Sequence, residues 1–302
     1  MSVKTVKAVI NGTTHTLTYS SSSEKYEATI TAPNQSSYPE TNHYFNVQLT
    51  AEDDAGNETT IDSTDPTLGD NLKLYVKEKT PPVITVTSPT EGATVTNYRP
   101  TITWTVTDAD SGVNPDTISI TIDSGSAITS GITKTPSGTT YNCSYKPDAF
   151  GDGQHTVSFN ASDFDGNPAA VKTVTFKVDT VPPTLNVTAP INNLITNTAA
   201  LTITGTTNDV TSSPVTVKIT LNSEDQGAVT VESSGAFSKA VTLASGVNTI
   251  VITATDAVGK ASTITRTVTL DTGAPVFNSV TIMPNPVDAG QTYVISVDVT
   301  DA

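Results

Sequence analysis

Acidic side chains are the groups through which this chain could do chemistry. The segments Asp108-Ala109-Asp110 and Asp163-Phe164-Asp165-Gly166-Asn167 each carry two carboxylates separated by one residue in a polar stretch. Hard carboxylate oxygens converging from two loops are what Ca2+ requires. Asp108, Asp110, Asp163 and Asp165 are therefore the metal candidates, and calcium is the ion they would take. A second reading is equally physical. Asp and Asn accept hydrogen bonds from backbone N–H groups a few residues on, and so favour turns without any ion.

Other chemistries find little support. His15, His43 and His155 are scattered, without the His-x-x-x-His spacing of a zinc pair, and are expected as solvated strand or loop residues. Cys143, the single cysteine, excludes an intramolecular disulfide and a multi-thiolate metal site. No Gly-x-Ser-x-Gly elbow, phosphate loop or dinucleotide fingerprint occurs. No enzyme activity and no cofactor beyond calcium is expected. The 15 basic and 30 acidic residues leave a net charge of −15, which repels phosphate backbones and argues against nucleic acid as a partner. No window approaches the roughly 18 apolar residues of a membrane span, so no membrane insertion is expected.

The candidate carboxylates sit between strands. In Thr101-Ile102-Thr103-Trp104-Thr105-Val106-Thr107 the apolar residues share one face and the threonines the other, the pattern of a half-buried strand that places Trp104 in a core. No stretch shows a helical period with caps, so the fold class is all-β. Three segments repeat one layout, a strand running into a polar turn and then prolines, with the last proline at positions 82, 183 and 275. The spacings of 101 and 92 residues are single β-sandwich lengths. Upstream of each junction stands a turn, Ala51-Glu52-Asp53-Asp54-Ala55-Gly56-Asn57, Ala161-Ser162-Asp163-Phe164-Asp165-Gly166-Asn167 or Ala254-Thr255-Asp256-Ala257-Val258-Gly259-Lys260, read as the hairpin joining the last two strands of a unit. Pro81-Pro82 and Pro182-Pro183 restrict the backbone, which predicts short, extended linkers.

The Asp-Thr-x-Pro-Pro junction, the Ala-x-Asp-x-x-Gly-Asn turn and the run from Trp104 to Val113 together resemble bacterial immunoglobulin-like repeats. The resemblance implies a string of immunoglobulin-like β-sandwich domains joined by short proline-containing linkers. It also implies service as a spacer, adhesive or accessory module in surface adhesins, secreted glycoside hydrolases, or phage tail and decoration proteins. An ion at the junctions through Asp179 or Asp271 is a further implication, and Glu78-Lys79 at the first junction departs from it.

Counting from the junctions predicts four segments. Residues 1–80 read as an incomplete domain lacking its first two strands, 81–180 and 181–272 as complete domains, and 273–302 as the first two strands of a further one. Pro82 to Asp108 and Pro275 to Asp301 are both 26 residues, so Ile295, Val297 and Val299 fall where Ile102, Trp104 and Val106 fall. Either the chain is an excerpt of a longer array, or its C-terminal strands complete the N-terminal domain of another copy, of another protein or of the same chain. The second reading makes Ile295, Val297 and Val299 an interface.

The leading expectation is a non-enzymatic structural or adhesive spacer on the exterior of a phage, a phage-tail-like particle or a bacterial surface. Its partners would be itself, head to tail, or another repeat protein of the same particle or surface, with a cell-surface glycan as a further candidate. Met1-Ser2-Val3-Lys4-Thr5-Val6-Lys7 does not read as a secretory leader, which tilts the expectation toward particles assembled in the cytoplasm. The alternative is a carbohydrate-binding or accessory region of a secreted glycoside hydrolase or adhesin. Tyr26, Tyr38, Tyr44, Tyr141 and Tyr145 are the aromatic candidates for such a site, though nothing in the sequence gathers them.

Overall fold

A computed structural model describes residues 2–301, which form two compact units, one ending at Val178 and one beginning at Asp179. The first unit opens with β1 (Val3–Ile10), β2 (Thr13–Ser20), β3 (Lys25–Glu27), β4 (Phe45–Asp53), β5 (Glu58–Ile61) and β6 (Lys73–Leu74). They make one sheet in the order β3-β2-β1-β4-β5, with β6 added to β4. Burial in this sheet is concentrated in Ala8, Ile10 and Phe45, with Leu72 from the short 3-10 turn Gly69–Leu72 beside them.

A two-layer sandwich follows in the same unit. It comprises β7 (Val83–Ser88), β8 (Thr94–Val95), β9 (Ile102–Thr107), β10 (Val113–Ile122), β11 (Thr133–Ser137), β12 (Thr140–Tyr145), β13 (Gly153–Asp163) and β14 (Lys172–Val178). One sheet runs β11-β12-β9-β7 and the other β10-β13-β14-β8. Ile102, Trp104 and Val106 of β9 alternate inward, and Trp104 meets Phe159 of the facing sheet at 5.1 Å between ring centres. This contiguous core is what two half-apolar sheets must make to hide their faces.

The second unit repeats the plan with β15 (Thr184–Ala189), β16 (Leu194–Thr196), β17 (Ala200–Asn208), β18 (Thr216–Leu221), β19 (Glu224–Asp225), β20 (Ala236–Thr242), β21 (Gly246–Thr255) and β22 (Ala261–Leu270). Its sheets run β15-β17-β20 and β16-β22-β21-β18-β19 around a core of Ile203, Ile219, Phe237, Ile250, Ile252 and Val268. Beyond it β23 (Val276–Met283) and β24 (Val294–Thr300) form a two-stranded antiparallel hairpin. Ile295, Val297 and Val299 are exposed there by 56%, 47% and 44%, and the opposite face is exposed as well.

The three Asp-Gly turns lie between β4 and β5, β13 and β14, and β21 and β22, as the strand pattern predicts. β1 pairs with β4 as β10 pairs with β13. The chain is therefore an all-β series of immunoglobulin-like sheets.

Candidate metal centres

Each Asp-Gly turn is built by one carboxylate. Asp53 accepts the backbone N–H groups of Ala55 and Asn57 on Oδ1 at 2.8 and 2.9 Å, Asp163 that of Asn167 at 2.7 Å, and Asp256 those of Val258 and Lys260 at 2.9 and 2.8 Å. Gly56, Gly166 and Gly259, at φ of +84°, +91° and +89°, supply the left-handed residue that closes each turn. The second oxygen is then free to face another element. In the first two turns the side chain of Asn57 or Asn167 donates to it, at 2.9 and 2.7 Å. In the third, Lys260 stands at that place, and Asp256 Oδ2 is buried without a partner.

A second carboxylate follows β9 in one sandwich and β17 in the other. Asp108 Oδ1 accepts N–H from Asp110 at 3.2 Å and Gly112 at 2.7 Å, and Asp209 Oδ1 accepts N–H from Thr211 and Ser212 at 2.8 and 2.7 Å. Each loop is tied to the turn beside it, through Phe164 N–H to Gly112 O at 3.0 Å and Ala257 N–H to Ser212 O at 3.3 Å.

A third carboxylate comes from the linker, four residues before the last junction proline: Glu78 ahead of Pro82 and Asp179 ahead of Pro183. Two clusters result, Glu78/Asp108/Asp163 in the first unit and Asp179/Asp209/Asp256 in the second, with one carboxylate oxygen from each member within 4.8 Å of the others.

Of the sequence-predicted metal residues, only Asp108 and Asp163 meet. Asp110 and Asp165 face the preceding sheet. Asp110 Oδ1 accepts Ser36 N–H at 2.8 Å, and Asp165 Oδ2 accepts Glu78 N–H at 3.0 Å. Phe164 stacks on Tyr38 at 4.2 Å, and Tyr38 stacks in turn on His43 at 4.1 Å. The four carboxylates thus divide between two tasks, because alternate residues of a turn point to different neighbours.

The first cluster is filled by its own protein groups. The Asn167 side-chain amide donates to Glu78 Oε1 at 2.9 Å, to Glu78 O at 3.1 Å and to Asp163 Oδ2. Ser111 Oγ donates to Glu78 Oε1 at 3.3 Å, and Thr80 N–H donates to Oε2. Burial, a hydrogen bond shared with Asp163, and the charges of Asp163 and Asp108 push the Glu78 carboxyl above its ordinary range.

Other candidates have structural roles. His155 is not the solvated residue expected from sequence: Nδ1 meets Asp123 at 2.6 Å and Nε2 meets Gly151 O at 2.8 Å. Cys143 is buried, and that burial pushes its thiol up to about 11. The tyrosines disperse: Tyr26 contacts Tyr19, Tyr44 contacts Tyr75, and Tyr141 and Tyr145 pack against the β7–β14 core.

Residues 82–159 match the family described as bacterial Ig domain, and residues 183–272 match glucodextranase, domain B. No curated protein sequence matches this chain. Among solved structures, Sidekick-1 immunoglobulin domains 1–5 are similar at 13% identity over 100% of this chain and 60% of that one, with a TM-score of 0.41. A tetra-tandem repeat from the extending region of a large adhesion protein is similar at 19% identity over 98% and 79%, with a TM-score of 0.36. Fibronectin(III)-like modules of Clostridium thermocellum CbhA are similar at 18% identity over 62% and 94%, with a TM-score of 0.33. The likeness to a bacterial immunoglobulin-like domain thus covers residues 82–159, within a chain whose other sheets follow the same all-β plan.

Proposed function

We propose that these repeats are a non-enzymatic spacer, holding an adhesive element away from a bacterial surface or the exterior of a phage-like particle. The observation that carries the reading is the joint inside the first unit. There the linker backbone at Glu78 is held by Asp165, and Tyr38 of the preceding sheet stacks on Phe164 of the next sandwich. A joint hydrogen-bonded and stacked in this way resists bending, which is what a spacer needs and a catalytic scaffold does not require. Spin labels at Ser22→Cys and Ser137→Cys test it, since the buried Cys143 does not compete for label. A narrow distance distribution that broadens in Asp165→Ala supports the spacer, and a broad one in the parent chain overturns it.

The β23–β24 hairpin extends this proposal to assembly. Ile295, Val297 and Val299 would pack on the single β1–β6 sheet of a second copy, giving head-to-tail contacts. A second functional reading, an accessory region of a secreted glycoside hydrolase, is favoured by the match of residues 183–272 to glucodextranase domain B. Binding of the purified chain to a polysaccharide array would favour that reading over a pure spacer.

A further inference from the structure

The first sheet carries an insertion that neither sandwich has. From Asn57 of its Asp-Gly turn to the linker acid Glu78 is 21 residues, against 12 from Asn167 to Asp179 and 11 from Lys260 to Asp271. Where β14 runs unbroken along β13, β5 and β6 share the edge of β4, and residues 62–72 stand between them. The insertion is folded against the sheet. Asp65 Oδ1 accepts the N–H groups of Thr67 and Leu68 at 2.9 and 2.8 Å, and Ser63 N–H donates to Asn46 Oδ1 at 2.9 Å.

The corner it builds lies on the outward face. Phe45 and Leu74 pair across β4 and β6, and Phe45 is buried, so their neighbours Tyr44, Asn46, Lys73 and Tyr75 take the opposite face. The Tyr44 and Tyr75 rings meet edge to face at 5.9 Å, and Tyr75 is 65% exposed. Both neighbours of Tyr44 fix it: its hydroxyl donates to Ser63 Oγ at 3.4 Å, and Lys73 Nζ, ion-paired with Asp70, stands 5.6 Å from its ring centre. Beside the rings a shallow groove of about 290 Å3 is lined by Val9, Asn11, Gly12, Glu40, Asn46 and Gln48. Asn46 borders both. Fixed, exposed rings offer a surface to the C–H face of a pyranose, and planar amides and a carboxylate can each take two vicinal hydroxyls. Charge narrows the class further. Glu40 and Asp70 stand at the site, Lys73 is already paired, and the chain carries −15, so uronate or sulfate groups are repelled.

We propose that the outward face of the first sheet binds a neutral polysaccharide, with Tyr44 and Tyr75 stacking on a sugar ring and Glu40, Asn46 and Gln48 holding its hydroxyls. The proposal rests on the second reading above, to whose glycan it gives a place, while the stiffness of the joint is independent of it.

The test is the migration of the 302-residue chain in native gels cast with xyloglucan, mixed-linkage β-glucan, galactomannan or dextran, and with polygalacturonate as the acidic polymer. At least one neutral gel should retard the chain and polygalacturonate should not. Tyr75→Ala should weaken retardation on the order of 10-fold with melting unchanged, and Tyr75→Phe, which keeps the ring, should retain it. Gln48→Ala, which leaves the aromatic pair intact, should weaken it as well. The site is overturned if no neutral gel retards the chain, or if polygalacturonate alone does. If Tyr75→Ala and Gln48→Ala both migrate like the parent in a gel that retards it, this site is overturned while the accessory reading stands, its glycan being held elsewhere on the chain.

Discussion

Asn167 and Lys260 occupy the same place in two copies of one turn, and the Asn167 amide bridges Glu78 and Asp163 where Asp256 Oδ2 is left without a partner. At the first joint the Glu78 carboxyl is raised above its ordinary value. A raised carboxyl binds its proton more tightly in the folded chain. The stability tied to it is fully present below the ordinary value near pH 4.5 and is lost as pH climbs through the raised one. Melting of the first unit should therefore fall from pH 4.5 to 7.5 more steeply in the parent than in Glu78→Gln; equal slopes would remove Glu78 from the account. Cys143, with its thiol pushed up to about 11, should resist iodoacetamide at pH 8 and react only once guanidinium opens the sandwich. Turn chemistry made Asp108 and Asp163 legible from sequence, since Asp followed by Gly marks its own local hydrogen bonds. Glu78-Lys79 departs from the Asp of the other junctions, and the partners of Glu78 are 30 and 85 residues away, so only the folded chain brings the three together.

Strand pattern is a more reliable guide than site chemistry, because alternation is local and burial follows from it. β9 and β21 bury the residues their alternation selects. What alternation does not reveal is where a strand has no room. Gly205 in β17 lies between Val187 and Phe237 of its neighbours, and a Cβ there would sit 2.4 Å from Asn186 O and 2.5 Å from Phe237 Cζ. Gly205→Ala should destabilise the second unit by about 2 kcal/mol or more in denaturant unfolding. Asn248 at the start of β21 is fully buried and acts as a polar plug. Its amide donates to Ala244 O and Gly246 O, and its oxygen accepts from Ala244 N–H and Asn222 Nδ2. Asn248→Ala strands these partners and should cost about 2–4 kcal/mol by the same measurement.

Among the described residues, two closed cores leave the β1–β6 sheet and the β23–β24 hairpin as the sheets without a second layer of their own. Apolar strands with both faces in water invite pairing. Light scattering against concentration measures that directly: if the hairpin seats on another copy, the parent chain grows with concentration and Val297→Asp does not, because the completed layer would bury its charge. Growth that survives Val297→Asp would refute the contact. A net charge of −15 opposes indiscriminate association throughout, so any growth should report specific pairing.

The linker carboxylates carry a consequence for how such arrays change in length. Glu78, Asp108 and Asp163 all follow Lys77, and Asp179, Asp209 and Asp256 all follow Val178, so every member of a joint's carboxylate cluster is encoded within one repeat. The interchangeable cassette therefore begins at the linker acid rather than at the prolines. A duplication cut at that point carries its own cluster intact, whereas one cut at Pro82 or Pro183 strands two acids without their third. Recombination that respects the first boundary moves each cluster as a unit and leaves only the contacts with the preceding sheet, such as Tyr38 on Phe164 and Ser36 on Asp110, to be matched.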